Sequence, residues 1–197
     1  PIIYCHTDAV DDNDIMKKIF VCLITILFIT FTGCSTNINN TPTKKVEEFL
    51  NRYQTLDSKV ISDLDRVVEE EEKFNTSNRE DYKELIKNQY KDMTYMIKNE
   101  TINGDKAIVE VEITVKDYKK VMDEAEVYRN NNMQLFSDEL GNYKETMYID
   151  YVIKQLKEAK DTVKYTLELG VTKKDKKWQV DQISDETEDK ILGIYNY

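Results

Sequence analysis

The chain has 197 residues, with 28 Lys and Arg against 38 Asp and Glu, and a formal net charge of −10 at pH 7. An acidic chain without a basic block is a poor binder of phosphate backbones, so nucleic acid is not an expected partner. Because 34% of its residues are charged, the chain is not a multi-span membrane protein. Five glycines and two prolines exclude collagen-like and Pro/Gly-rich disordered chains.

A hydrophobic stretch lies near the N-terminus. The first methionine is Met16, and we expect residues 1–15 to be an upstream segment foreign to the native protein. Lys17 and Lys18 precede 14 uncharged residues, 19–32. A basic start, an apolar stretch of this length and a small residue before the cleavage point are typical of a secretory signal. Spanning a bilayer takes about 20 residues, so a permanent anchor or a core helix is the weaker alternative.

The stretch ends with Phe31-Thr32-Gly33-Cys34, which resembles the lipobox of bacterial lipoproteins. Phe31 departs from the usual leucine, whereas Gly33-Cys34 matches. The resemblance implies that residues 16–33 are a signal peptide, cleaved between Gly33 and Cys34. It also implies that Cys34 carries acyl chains such as palmitate and holds the protein on the outer face of the cell membrane.

The mature chain would then hold no free thiol and no histidine. Cys5 and His6 precede Met16, Cys22 leaves with the signal peptide, and Cys34 is acylated. Disulfides, Ser-His-Asp or Cys-His catalysis and His/Cys zinc sites are thereby excluded. No cofactor or metal is expected, and no residue stands out as catalytic.

Residues 34–45 are polar and are predicted to form a flexible, lipid-anchored tether, which leaves residues 46–197 as the folded domain. Three amphipathic helices open the domain, behind Pro42, after Asp57-Ser58 and at Ser77-Asn78. Their apolar positions are Val46, Phe49, Leu50, Tyr53, Val60, Leu64, Val67, Val68, Tyr82, Leu85, Ile86 and Tyr90.

The apolar period then changes to two, which predicts strands. Residues 93–102 and the strand after Asn103-Gly104 form one hairpin, and a second runs through a polar turn at residues 173–176 to Trp178. The positions expected to face the core are Ala107, Val109, Val111, Ile113, Val115, Val163, Tyr165, Leu167, Leu169 and Val171.

Helices fill the rest of the chain. Residues 117–160 are predicted to form two or three helices, interrupted at residues 130–132 and at Gly141-Asn142. A last helix should run from residue 185 to 195, capped by Ser184 or Asp185. The order ααα-ββ-αα-ββ-α predicts an α+β domain with a curved antiparallel sheet, made from the two hairpins and packed on the helices.

Two strand phrases, residues 103–111 (NGDKAIVEV) and 175–181 (DKKWQVD), resemble the NTF2-like (cystatin-like) domains of small lipoproteins. The helical segment between the hairpins and the terminal helix depart from the simplest pattern of that family. The resemblance implies a cone-shaped pocket, which in some members binds a ligand or serves an isomerase with a carboxylate and a tyrosine.

Several side-chain groups have both a functional and a structural interpretation. Six tyrosines near apolar faces favour core packing over a catalytic pocket: Tyr53, Tyr82, Tyr90, Tyr95, Tyr118 and Tyr165. Glu69 to Glu72 point in different directions on a helix, which favours a solvated helix end over a calcium site. Four lysines of the last hairpin favour a soluble tip over contact with anionic lipid or wall polymer: Lys173, Lys174, Lys176 and Lys177.

The sequence therefore predicts a non-enzymatic cell-envelope lipoprotein that acts as a binding or accessory module. A pocket for a small hydrophobic ligand or a peptide is the alternative, and an isomerase is the least favoured. The expected partners are the membrane, through Cys34, and a small ligand or an envelope protein. We expect a monomer, because the outer face of the sheet is polar, with Glu110, Glu112, Thr114, Lys116, Lys164, Thr166 and Glu168.

Overall fold

A computed structural model describes residues 40–70 and 74–196 of the chain. The elements, in chain order, are α1 (Pro42–Gln54), α2 (Ser58–Glu70), α3 (Thr76–Asp92), β1 (Thr94–Asn103), β2 (Lys106–Lys116), α4 (Tyr118–Asn131), a 3-10 turn (Met133–Phe136), α5 (Glu145–Glu158), β3 (Thr162–Lys174), β4 (Lys177–Val180) and α6 (Asp185–Leu192). The predicted α+β class and the predicted order of elements are confirmed. In the part of the chain that is described, no helix combines the length and apolar character needed to cross a membrane.

The two hairpins join into one four-stranded antiparallel sheet with the order β1-β2-β3-β4. The centre of the sheet is the β2–β3 pair, in which Val111 lies opposite Leu167. The alternation predicted for these strands is confirmed, because every core-facing residue of β2 is at most 4% exposed. The register of β1 against β2 shifts between Ile97 and Asn99, which makes a bulge at Lys98 in the edge strand.

The inward face of the sheet is covered by helices. α1 packs across all four strands, α3 contacts β2, and α6 contacts β2 and β3. α5 packs on α3 and α4, and α2 packs on α3. The apolar stripes predicted for the first three helices are buried in this layer, where they form one core with the sheet. The space beneath the sheet is thus occupied by side chains of the chain itself.

Side-chain caps fix most of the helix starts. The Thr41 side chain accepts a hydrogen bond from the amide of Lys44, so α1 begins at Pro42 and includes the last four residues of the predicted tether. α3 is capped by Asn75, which corrects the predicted start at Ser77-Asn78.

The last helix has the predicted cap but a different end. The Ser184 hydroxyl accepts a hydrogen bond from the amide of Thr187. Gly193 has a φ of +74° and ends α6 after Leu192, which corrects the predicted end at residue 195. A glycine in this left-handed conformation is a common helix stop, because it carries no Cβ.

Candidate binding surface

The segment that joins α4 to α5, together with the adjoining parts of both helices, displays most of the large apolar side chains that are exposed. Among the described residues, seven of the ten large apolar side chains that are exposed lie here, four in the connecting segment and three in the adjoining parts of α4 and α5. Leu140 is 86% exposed. We call these seven residues the α4–α5 apolar surface: Val127, Tyr128, Met133, Leu135, Leu140, Tyr143 and Met147. A concentration of exposed apolar side chains is typical of a binding site for another molecule.

An aromatic cluster joins α4, the 3-10 turn and α5. Phe136 is buried and makes edge contacts with Tyr148 and Tyr151, with ring centroids 5.6 and 5.5 Å away. Tyr151 also stacks on Tyr128 at 5.1 Å. The Arg129 guanidinium lies 4.7 Å from the centre of the Tyr148 ring. Each such contact contributes about 1 kcal/mol, so the cluster gives the surface a firm base.

Asp138 organises the loop that displays Leu140. One of its carboxylate oxygens accepts hydrogen bonds from the backbone amides of Leu140, at 3.0 Å, and Asn142, at 2.9 Å. The other lies 2.9 Å from the Lys144 ammonium. The Lys144 pair, followed by the Asn142 amide, lowers the pKa of Asp138 to about 2. The carboxylate therefore stays charged, and keeps its contacts, over the whole physiological pH range.

A backbone bridge between Ser137 and Tyr143 closes this loop at its two ends. Gly141 has a φ of +82° and makes the turn between them. Because the loop is tied at both ends and at its centre, Leu140 is held out to solvent by ordered backbone. A partner that covers Leu140 then has less loop freedom to remove, which favours binding.

The charge around the α4–α5 apolar surface is negative. Residues 123–150 contain seven Asp and Glu but only Arg129 and Lys144 as cations. Both cations have acidic neighbours, since Arg129 lies 3.6 Å from Glu126 and Lys144 pairs with Asp138. Exposed carboxylates remain at Glu124, Glu139 and Asp150. The arrangement suits a partner that is both apolar and cationic.

The residues of the predicted lipobox, Gly33 and Cys34, lie outside the described residues. The predicted tyrosine sites resolve into core packing, as their bulk suggested. Five of the six are buried and one, Tyr95, is half-buried. They are distributed over α1, α3, β1, α4 and β3, and the rings of Tyr53 and Tyr90 make an edge contact with centroids 5.0 Å apart.

Two of the buried tyrosines, Tyr53 and Tyr90, lie near a buried carboxyl that the sequence did not reveal. Glu188 is 2% exposed, and burial, helped by Asp185 and Asp189, raises its pKa to about 8. Burial raises the pKa of the Tyr53 and Tyr90 hydroxyls, and the nearby Glu188 carboxyl adds to that effect. Proton-transfer enzymes use a neutral carboxyl near a tyrosine, but a substrate cannot reach a carboxyl that is buried as fully as that of Glu188.

The acidic run at the end of α2 and the charged pairs on the outer face of the sheet are reached by solvent. Glu69 and Glu70 are exposed at the end of α2, whereas Glu71 and Glu72 lie outside the described residues. Within residues 40–70 and 74–196, no cluster of three or more His, Cys, Asp or Glu side chains is arranged to hold a metal ion. On the outer face of the sheet, Glu112 pairs with Lys98 at 3.4 Å and with Lys164 at 3.0 Å, which lowers its pKa.

The α4–α5 apolar surface was missed at the sequence level, although a signal is present. Asn130, Asn131, Asn132, Gly141 and Asn142 correctly predict breaks in the helices. The signal lies in the apolar side chains in and beside those breaks. Leucine and methionine within a turn-forming segment follow no helix or strand period, and that mismatch is a signal of an exposed apolar site.

Comparisons with known proteins do not assign the chain to a family. No protein-family model matches the chain, and no curated protein matches it. Among solved structures, it is similar to the crystal structure of a Bacillus subtilis protein named as a lipoprotein, at 16% identity and a TM-score of 0.39. The match covers 77% of this chain and 47% of the Bacillus chain. A likeness of this degree carries no argument about function.

Proposed function

We propose that the protein is a non-enzymatic lipoprotein of the cell envelope, and that the α4–α5 apolar surface is its binding site. The lipid anchor is supported by Gly33-Cys34 at the end of a secretory signal. Binding is supported by one observation above all, the concentration of exposed apolar side chains on and beside the segment between α4 and α5, where Asp138 holds the loop that displays Leu140.

The filled core argues for a surface site over an internal pocket. α1 lies against all four strands, and the inward residues of β2 and β3 are buried, apart from half-buried Val163. A hydrophobic ligand beneath the sheet would have to displace this packing, at several kcal/mol for each large side chain. We therefore propose that the chain shares only the overall architecture of NTF2-like domains. The proposal includes neither their cone-shaped pocket nor an isomerase activity.

The proposed partner is a cationic amphipathic segment of an envelope protein. Apolar side chains of the partner would cover Leu135 and Leu140, and its lysines or arginines would face Glu124 and Glu139. Burying one leucine side chain contributes roughly 1.5–3 kcal/mol, which is enough for hot-spot residues. Acidic groups at the edge would mainly raise the association rate and select cationic partners.

A peptide titration tests this proposal. The probe is a fluorescein-labelled amphipathic Leu/Lys helix, and the protein is the full chain held in neutral phosphatidylcholine nanodiscs. We expect saturable binding by anisotropy, weakened about tenfold or more by the double substitution Leu135→Asn and Leu140→Asn. A Leu/Glu peptide of the same pattern should bind less tightly than the Leu/Lys peptide.

The control is Met96→Gln, an exposed apolar side chain on the outer face of the sheet, 58% exposed. It should leave the affinity unchanged. The proposal fails if the double variant binds the Leu/Lys peptide as tightly as the native chain, or if Met96→Gln weakens binding equally.

A further inference from the structure

The two hairpin turns of the sheet form a basic end in an acidic protein. The turns lie side by side, since the Lys173 amide donates a hydrogen bond to the Asp105 carbonyl at 2.7 Å. We call residues 103–106 and 173–177 the basic tip. It contains five lysines and two aspartates, whereas the whole chain has a net charge of −10. Its lysines are Lys106, Lys173, Lys174, Lys176 and Lys177.

The chain enters the domain at this same end. The Asn40 side chain donates a hydrogen bond to the Lys176 carbonyl at 2.8 Å and accepts one from the Trp178 amide at 3.0 Å. Asp175 and Lys176 have φ values of +49° and +63°, so Asn40 bonds a turn whose backbone is strained for residues with a Cβ. The first described residue is therefore attached directly to the basic tip.

Covalent geometry limits how far this end can lie from the proposed anchor. Asn40 follows Cys34 by six residues, and six residues reach at most about 22 Å when fully extended. β2 and β3 run from the tip for 11 and 13 residues, or about 35–43 Å, toward the opposite end of the sheet. The proposed anchor therefore keeps the basic tip within about 22 Å of the membrane, whereas the opposite end of the sheet can lie about 35–43 Å further away.

We propose that the basic tip docks on the anionic phospholipid surface of the membrane that holds Cys34. This inference rests on the lipid anchor of the proposed function. Lys106, Lys174, Lys176 and Lys177 are exposed and suited to phosphate headgroups. Ile102 and Ile108, about half exposed beside the first turn, supply apolar side chains at the same end. Each lysine near an anionic surface contributes about a fivefold factor to binding, so the cluster would fix the orientation of the domain.

The sequence supplies a reporter for this contact, because Trp178 is its single tryptophan. Trp178 lies opposite Lys173 in the sheet, and the Lys173 ammonium is 5.4 Å from the centre of its ring. Energy transfer from Trp178 to dansyl-labelled lipid therefore measures how close the basic tip lies to the bilayer.

The experiment uses the full lipidated chain in vesicles of phosphatidylcholine, with and without phosphatidylglycerol. We expect transfer per bound protein to be about twofold higher with phosphatidylglycerol, and to fall to the phosphatidylcholine level at about 1 M salt. The triple variant Lys174→Gln, Lys176→Gln and Lys177→Gln should show the phosphatidylcholine level on both vesicles. The control triple Lys91→Gln, Lys154→Gln and Lys160→Gln changes the net charge equally and should behave as the native chain.

The outcomes separate the basic tip from the anchor. Equal transfer on both vesicles for the native chain would overturn the docking proposal, and so would equal losses in both triple variants. Lysine-dependent binding of soluble polyphosphate without any lipid dependence would overturn it in favour of a soluble polyanion. The anchor is measured separately by labelled palmitate and co-flotation, which a Cys34→Ser chain should lose; if it keeps both, the proposed anchor is wrong whatever Trp178 reports.

Discussion

Gln89 and Glu188 are both buried polar side chains in the helical layer, and they differ in how their polar atoms are satisfied. The Gln89 amide nitrogen donates to the carbonyls of Lys116, at 3.1 Å, and Leu192, at 3.0 Å. Its oxygen accepts a hydrogen bond from the Lys116 amide at 3.2 Å. One carboxylate oxygen of Glu188 has no hydrogen-bond partner among the described residues. A buried amide with matched partners stabilises the fold, whereas the carboxyl is accommodated by staying neutral.

Gln89 lies where three elements converge. It belongs to α3 and binds the end of β2 and the end of α6 at once. Gly193 makes this convergence possible, because a Cβ on it would lie 2.1 Å from the Lys116 carbonyl oxygen and 2.7 Å from the Gln89 amide nitrogen. The Gly193 carbonyl also accepts a hydrogen bond from the Lys119 amide at 2.8 Å. The hydrogen bonds of Gln89 therefore depend on the close approach of the Gly193 backbone to Lys116.

The largest effect is expected from Gly193→Ala. The new Cβ clashes with backbone and also occupies a left-handed conformation, so we expect a loss of about 4 kcal/mol in the free energy of unfolding by urea titration. Gly141→Ala is the matched control, since its φ is +82° and nothing lies within 4 Å of its Cβ position. That variant should lose only about 1 kcal/mol. Equal losses would show that the close approach at Gly193 is unimportant.

Gln89→Leu removes the matched partners while nearly keeping the volume. Two carbonyls and one amide lose their partner, and we expect the free energy of unfolding to fall by about 3 kcal/mol. In the control Gln54→Leu, a half-buried side chain loses one hydrogen bond to the Met93 carbonyl, and the loss should be about 1 kcal/mol. If the two variants are equally stable, the contrast between satisfied and unsatisfied groups does not hold.

Glu188→Gln tests the other side of the comparison through pH. The carboxyl has an ordinary pKa of 4.5 when unfolded and about 8 when folded, so between these values only the folded chain keeps its proton. The contribution of Glu188 to stability is therefore largest below about pH 4.5 and falls as the pH rises to 8, by at most about 1.4 kcal/mol per unit. The variant should lack this slope and be about 2 kcal/mol more stable than the native chain at pH 8.

Glu186→Gln is the control on the same helix. Glu186 is exposed and pairs with Lys190 at 2.6 Å, which lowers its pKa. Its contribution has the opposite sign, being present above its unfolded pKa and lost as the pH falls. That variant should be slightly less stable than the native chain at pH 8. A native chain and a Glu188→Gln chain with the same pH dependence would contradict the raised pKa.

Local sequence patterns were enough to predict the fold. The features that they did not predict depend on contacts between residues far apart in the sequence. Alternation along β2 predicted its buried face correctly, since period-two patterns depend only on neighbours in sequence. Gln89 lies between Ile86 and Tyr90 on the apolar stripe of α3, so the sequence pattern is enough to predict that its side chain is buried. The pattern does not predict its partners, because they lie 27 and 103 residues further along the chain. The predicted end of α6 was wrong, because Gly193, a common helix stop, lies two residues before it.

The candidate sites divide in the same way. The lipobox is four consecutive residues, so the sequence carries all of that prediction. The basic tip needed the structure, because residues 103–106 and 173–177 become neighbours only through the pairing of β2 with β3. The α4–α5 apolar surface has a signal in the turn-forming residues, but the exposure of Leu140 follows from the Asp138 loop, which only the structure shows.

The bulge at Lys98 has a consequence for a chain anchored as we propose. Acyl anchors confine many copies to two dimensions, where the edge strands of neighbours meet often and in similar orientations. A straight, apolar edge would let β1 of one copy pair with β1 of the next and seed aggregation. The bulge interrupts the register of that edge, and Lys98 and Glu100 add charge to it. The edge strand is thereby protected against the crowding that its own anchor would create.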